Sequence, residues 1–345
     1  MKITKISLHQ PAGLLRLVTD EGLEGHCTGV TASGADIGVE LVAPTLVGSN
    51  PLDRERTWWA MRNLDEGLPP AFRAGIDVAL WDLSAKIAGR SLFRHLGGFR
   101  DRVPVCRAST AGGDMSCAAG ASALEIVKDA KDAQQAGFKA YRFGVSADEN
   151  ALVLLIREIR AAVGPDFPLI LDGRARYVVD EAIRIGKALD EADFFYFDRP
   201  RPRNDHTGGK QLADEIDTPT SAEVCSPIEA SQVMTLQSAD HIRTGVCGAG
   251  GITDVLKAAR CAEAFGAYCH LDGAGNSDGF AHIQVAGVLR NTPFLEMTDQ
   301  EIAPPFVLNP LQIEDGFVHL PDQPGLGIEI DLDAVMDLTS ELIEA

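Results

Sequence analysis

Asp172 closes the apolar run FPLILD, Asp198 closes FFYFD, and Glu223 follows TPTSA. Successive acids stand roughly 25 residues apart, the length of one strand-and-helix unit of a barrel. Neighbouring parallel strands run about 4.8 Å apart, so side chains at three successive strand ends can converge on one point. Carboxylates that close repel one another unless a cation shares them. An all-oxygen set on a rigid scaffold suits Mg2+, with Mn2+ tolerated and with water and substrate oxygens completing the shell. Taken singly, each acid is better explained as a loop cap or as a partner of Arg174, Arg199 or Arg201. All three at successive strand ends favour the metal.

The elements that must position these groups form a regular series. From about Val103, short apolar strands precede amphipathic helices: RVPVCRAST, FKAYRFGV, FPLILDGR, DFFYFDRP, TPTSAEV, DHIRTGV and GAYCHLD each begin such a unit. Alternation at this spacing predicts a parallel sheet with crossover helices, and strands without polar alternation are expected when both faces are covered. No dinucleotide fingerprint follows any strand, so a closed, TIM-like (β/α) barrel of about seven units is favoured over an open doubly wound sheet. Residues 1–102 read differently. LLRLVTDEGLEGHCTGV alternates around Asp20-Glu21-Gly22 as a hairpin, and the stretch from Ala71 to His95 carries helical spacing. This predicts a compact α+β unit at 1–102, a barrel at 103–300, and a tail at 301–345 that packs back on the first unit.

Composition narrows the partners. A formal net charge of −19 argues against nucleic acid, which requires clustered Lys and Arg. Seven scattered cysteines with no C-x-x-C pair suggest reduced thiols rather than zinc or disulfides. The start, MKITKISLHQPAG, lacks an apolar signal core, and no apolar run is long enough to span a bilayer. The expectation is a cytoplasmic protein with a small-molecule partner and no membrane.

On these motifs the chain resembles the enolase superfamily, in its mandelate racemase and muconate-lactonising branch. AGIDVALWDLSAKIAGRSLFRHLGG (74–98) is similar to that branch's capping-domain helix. GFKAYRFGV resembles the second barrel strand, and LILDG, YFDRP and SAEV fall where the family carries its metal ligands. GAGGITDVLKAARCAEAFG (248–266) and PGLGIEI match its helix start and C-terminal return. The resemblance implies a capping domain built from the N-terminal region and the tail, Mg2+ on Asp172, Asp198 and Glu223, and a small carboxylate substrate. It also implies abstraction of the α-proton to give a stabilised enediolate. Loops around Pro11–Leu14 and Asp65–Phe72 would select the substrate, and a symmetric homo-oligomer is expected.

The acid/base groups depart from the family pattern. The usual Lys pair falls on Arg142 and Gly144, the Asp of the Asp–His dyad falls on Gly245, and Asp198 stands where Glu is usual. Arg142 cannot serve as a base, because its guanidinium does not lose a proton under ordinary conditions; it can orient a carboxylate, stabilise charge, or simply pair with Asp172 or Asp198. Tyr141 points the other way on its strand and reads as core. His270 and Asp272 share a strand face and are the candidate proton-handling groups. Arg174, two residues after Asp172, resembles the basic residue that sugar-acid dehydratases carry there, and it and His26 are candidate substrate contacts. The run GVCGAGG (245–251) suits packing better than a phosphate cradle. These features favour a dehydratase of a polyhydroxy acid, because elimination proceeds with one base whereas racemisation needs two. A racemase, epimerase or cycloisomerase is the alternative, and a homologue that binds metal and acid without turnover is a third.

Overall fold

The computed structural model describes residues 1–30, 35–64, 68–109, 122–144, 148–272, 279–298 and 303–345. The expected loop at Asp65–Phe72 therefore lies partly outside the described residues, as does Cys117. The N-terminal unit opens with β1 (Ile3–Gln10), β2 (Leu14–Thr19) and β3 (Glu24–Cys27), an antiparallel meander. Helices α1 (Ala35–Leu46), α2 (Arg54–Asn63), α3 (Pro70–Ile87) and α4 (Leu92–His95) follow. Pro70 sits in the first turn of α3, where a missing N–H leaves no bond unmade. Gly25 lets β3 lie directly against α3, since a Cβ there would strike the Ala79 carbonyl.

The second unit alternates β4 (Arg102–Ala108), α5 (Ala123–Gln135), β5 (Ala140–Phe143), α6 (Glu149–Val163), β6 (Leu169–Asp172), α7 (Val179–Glu191) and β7 (Tyr196–Asp198). It continues with α8 (His206–Glu215), β8 (Ser221–Glu223), α9 (Pro227–Leu236), β9 (His241–Thr244), short α10 (Val246–Ala249), α11 (Ile252–Ala264), β10 (Cys269–Leu271), α12 (Gly279–Ala286) and β11 (Leu295–Met297). Ser122 and Glu125 form a reciprocal capping box on α5, and Asp148, Asp205 and Ser226 cap later barrel helices. Every residue of β6, β7, β9 and β10 is buried, as strands covered on both faces should be. The seven expected units are present, and β11, which the sequence pattern did not reveal, pairs in parallel with β4. Among the described residues no helix directly follows it to announce it.

The tail contributes to both units. β12 (Ile313–Glu314) and β13 (Phe317–His319) form a hairpin antiparallel to β4, whereas β14 (Glu341–Glu344), after α13 (Leu332–Leu338), pairs with β1. The first unit docks on the start of α11. Trp58 Nε1 and Arg62 donate to Asp254, Trp81 Nε1 donates to Thr253, and Thr253 donates to buried Asp77. Gly251 lies against Asp77 with φ of 129°, so GVCGAGG serves helix packing, with a carboxylate already seated at the helix start. Among the described residues no helix is long and apolar enough to cross a membrane. Cys106, Cys225, Cys261 and Cys269 are free thiols.

Candidate functional site at the barrel mouth

The two-residue period of a strand stacks interior side chains in layers. Tyr196 lies beneath Asp198, Ile170 beneath Asp172, Ala140 beneath Arg142, His241 beneath Arg243 and His270 beneath Asp272. The lower layer is a plug: Cys106, Ala140, Ile170 and Tyr196 pack together. His270 belongs to it. Its ring stacks on Tyr196 with centroids 4.0 Å apart, and its Nε2 lies 3.1 Å from Nδ1 of His241. Burial, then the neighbouring His241, hold its pKa well below the ordinary histidine value. The expectation that His270 shares the mouth with Asp272 is thereby corrected: the residue two places further along the strand reaches it instead.

The upper layer holds carboxylates interleaved with guanidiniums. The register sets Asp172 directly beside Asp198, and Glu223 beside Arg243. Arg142 donates to Asp198 Oδ2 from Nε at 2.9 Å and Nη2 at 2.8 Å, and its Nη2 is 2.8 Å from Asp172 Oδ2. Arg199 reaches Asp172 and Glu223, each at 3.2 Å. Arg243 forks onto Glu296 with two bonds of 2.6 Å, donates through Nε to Asp272 at 2.8 Å, and lies 3.3 Å from Asp198. Ser221 Oγ donates to Asp198 Oδ1 at 2.6 Å. Burial would raise the pKa of Asp198, but Arg243, Arg142, Arg199 and the Ser221 hydroxyl hold it well below the usual carboxylate range. Arg142 stays a cation at any ordinary pH: burial opposes its charge, and Glu296, Asp172 and Asp198 more than compensate.

Whether this set fits a divalent metal is decided by its lone pairs. Asp198 is fully buried, with Oδ1 taken by Ser221 and Oδ2 facing three guanidiniums. Asp172 Oδ1 accepts the Arg174 backbone N–H at 2.9 Å, and its Oδ2 is shared by Arg142 and Arg199. A Mg2+ ion at these oxygens would stand beside two or three permanent cations. Among the described residues no group of three or more His, Cys, Asp or Glu side chains is arranged to hold a metal. The carboxylates are brought together as expected, but as partners of arginine. In this arrangement they do not fit Mg2+ or Mn2+.

The two glycines at the family's base positions are also occupied space. A Cβ at Gly144 would lie 2.9 Å from Nε of Arg174, whose Nη2 donates to the Gly144 carbonyl at 3.1 Å. A Cβ at Gly245 would lie 2.5 Å from Asp272 Oδ2. Arg174 and Asp272 thus fill the volumes that side chains at 144 and 245 would take. Arg174 and Arg199 adopt φ of 55° and 45°, left-handed conformations that each cost about 1–2 kcal/mol in a non-glycine residue. The two turns are held together, Gly173 N–H to Asp198 carbonyl and Ala175 N–H to Arg199 carbonyl, at 2.6 and 2.7 Å. Such strain, kept where two arginines are aimed over the mouth, fits a functional site. His26 is elsewhere. It contacts Glu24 and Lys86, and its N–H bonds Asp82, all within the N-terminal unit. The sequence reading missed Arg243 and Glu296. The first was legible as a buried cation two residues before Gly245, while the second sits on the unforeseen β11.

Comparison with known proteins gives consistent results. Residues 2–97 match the family model for the mandelate racemase / muconate lactonizing enzyme N-terminal domain, and residues 125–334 match the enolase C-terminal domain-like model. The D-galactarolactone cycloisomerase of Agrobacterium fabrum is 25% identical over 94% of this chain and 90% of its own length. The arabinonate dehydratase of Saccharolobus solfataricus is 27% identical over 76% of this chain and 71% of its own. The L-talarate dehydratase of a Polaromonas species, solved with Mg and L-glucarate, superposes with a TM-score of 0.84 at 24% identity, covering 100% of this chain and 99% of that one. The similar proteins thus include both lyases and isomerases, all at low identity.

Proposed function

Because the chain belongs to the enolase superfamily, in its mandelate racemase and muconate-lactonizing branch, we propose that it removes the α-proton of a small polyhydroxy carboxylate and dehydrates it. The observation that carries this reading is an exposed carboxylate, set by Arg243 in the space beside Gly245, at the arginine-lined barrel mouth. Asp272 keeps 41% of its side-chain surface exposed and is oriented by Arg243. Arg174 and Arg199 hold the substrate carboxylate, as planar guanidiniums do. Arg142 and Arg243 place fixed guanidinium charge beside the position where enediolate charge develops.

Asp272 takes the α-proton, the α-carbon becomes enediolate, and the β-hydroxyl leaves. The proton held on Asp272 goes to that leaving hydroxyl, water departs, and the enol becomes an α-keto acid. One base suffices, which supports dehydration over racemisation. Mg2+, present in the glucarate complex of the Polaromonas enzyme, is assigned no step here, because Asp172 and Asp198, two of the three carboxylates that would hold it, are spent on arginine. His270 and His26 take no part in the chemistry.

A screen of aldonic and aldaric acids, read out as α-keto acid by semicarbazone absorbance, tests the reading. Turnover of at least one acid by the wild type, lost in Asp272→Asn, is expected. Turnover that survives Asp272→Asn assigns the proton transfer elsewhere.

A further inference from the structure

The geometry points to a mouth in which fixed guanidinium charge stands where a divalent cation would act, so that carboxylate binding is independent of metal. This deepens the enediolate reading and rests on it only for the identity of the ligand class. Arg142, Arg199 and Arg243 each bridge two or more of Asp172, Asp198, Glu223, Asp272 and Glu296, at 2.6 to 3.3 Å. Every acid expected to ligate metal therefore has a cation within bonding distance already.

The alternative is that the arginines swing aside when metal arrives. Arg142 and Arg243 have little room to do so. Their side chains are 12% and 3% exposed, and Arg243 is pinned by a two-pronged bond to buried Glu296. Moving either would leave Asp198, which has no exposed surface, facing a dication and a displaced guanidinium within the same closed layer. Arg199 is the more exposed of the three at 23%, and together with Arg174 it is aimed by a left-handed backbone turn. Arg199 presents the guanidinium edge that an incoming carboxylate would meet. Arginine suits the substitution because it binds carboxylate in a planar fork, whereas a metal binds it through open coordination positions.

The test uses the intact protein after dialysis against EDTA. Mn2+ is titrated in and its free-ion EPR signal recorded, and thermal unfolding is measured with D-tartrate as the carboxylate probe, with and without Mg2+. The inference predicts that equimolar protein leaves the Mn2+ signal undiminished, and that tartrate raises Tm by about 2 °C or more whether or not Mg2+ is present. Arg199→Gln abolishes the tartrate shift. Stoichiometric loss of the Mn2+ signal with wild type, or a tartrate shift that is absent or appears only with Mg2+, overturns it. These readings require no turnover, so a protein that binds tartrate without metal yet dehydrates nothing would sink the enediolate reading and leave this one standing.

Discussion

Gly245 and Asp272 share one space: a Cβ on the first would lie 2.5 Å from a carboxylate oxygen of the second and 2.9 Å from its Cβ. The carboxylate that the family pattern places after the sixth barrel strand has a counterpart carried by the seventh, reaching into the same volume. The glycine is what admits it.

Gly245→Ala therefore displaces Asp272 without removing it. A shift of about 1 Å at a group that moves a proton lowers kcat by on the order of 10²-fold. The tartrate-induced Tm shift should persist, because Arg174 and Arg199 are untouched. Steady-state kinetics and thermal unfolding of the same preparation check both halves, and unchanged kcat would show that the position of Asp272 is immaterial.

Arg142→Met leaves Asp172 and Asp198 without their closest cation, and Asp198 has no exposed surface on which to recover hydration. Removing one partner from a buried ion pair is expected to destabilise the fold by about 3–5 kcal/mol. Adding Asp198→Asn should return part of this loss, a coupling that urea denaturation of the two single variants and the double variant measures directly.

The histidine plug makes the fold sensitive to acid. Burial lowers the His241 pKa to about 4, against a small opposing effect of Asp240. With the folded pKa below the unfolded value of about 6.5, stability from this group is complete above that value and is lost as pH falls through 4, by about 3 kcal/mol in all. His241→Asn, which keeps a polar atom near the His270 ring, should flatten the fall in unfolding free energy between pH 7 and pH 4 relative to wild type. An equal fall in both proteins would exclude His241 as its source.

Much of this architecture was legible in the chain. Apolar strands ending in Asp172, Asp198 and Glu223 announced both the barrel and the place of its chemistry, because a strand end is defined locally. Tyr141 was legible as core from the two-residue period, and it is buried with its hydroxyl donating to Asp129 at 2.8 Å. The pairing of Arg142 with Asp172 and Asp198 was legible as one of two readings. Choosing between His270 and Asp272 was not possible from the period alone, which sets them on one face but leaves open which layer meets solvent. Glu296 depends on barrel closure, in which β11 is brought beside β4 from a distant part of the chain. That information resides in tertiary contacts, and no short motif carries it.

Hα exchange probes the central claim at its narrowest point: one base, Asp272, acting beside fixed arginine charge. A panel of aldonic and aldaric acids is incubated in D2O with the EDTA-treated protein and followed by proton NMR. At least one acid should lose its α-proton signal with wild type, by exchange or by dehydration, and none should lose it with Asp272→Asn. Loss that persists in Asp272→Asn, or that begins only when Mg2+ is added, would contradict the account.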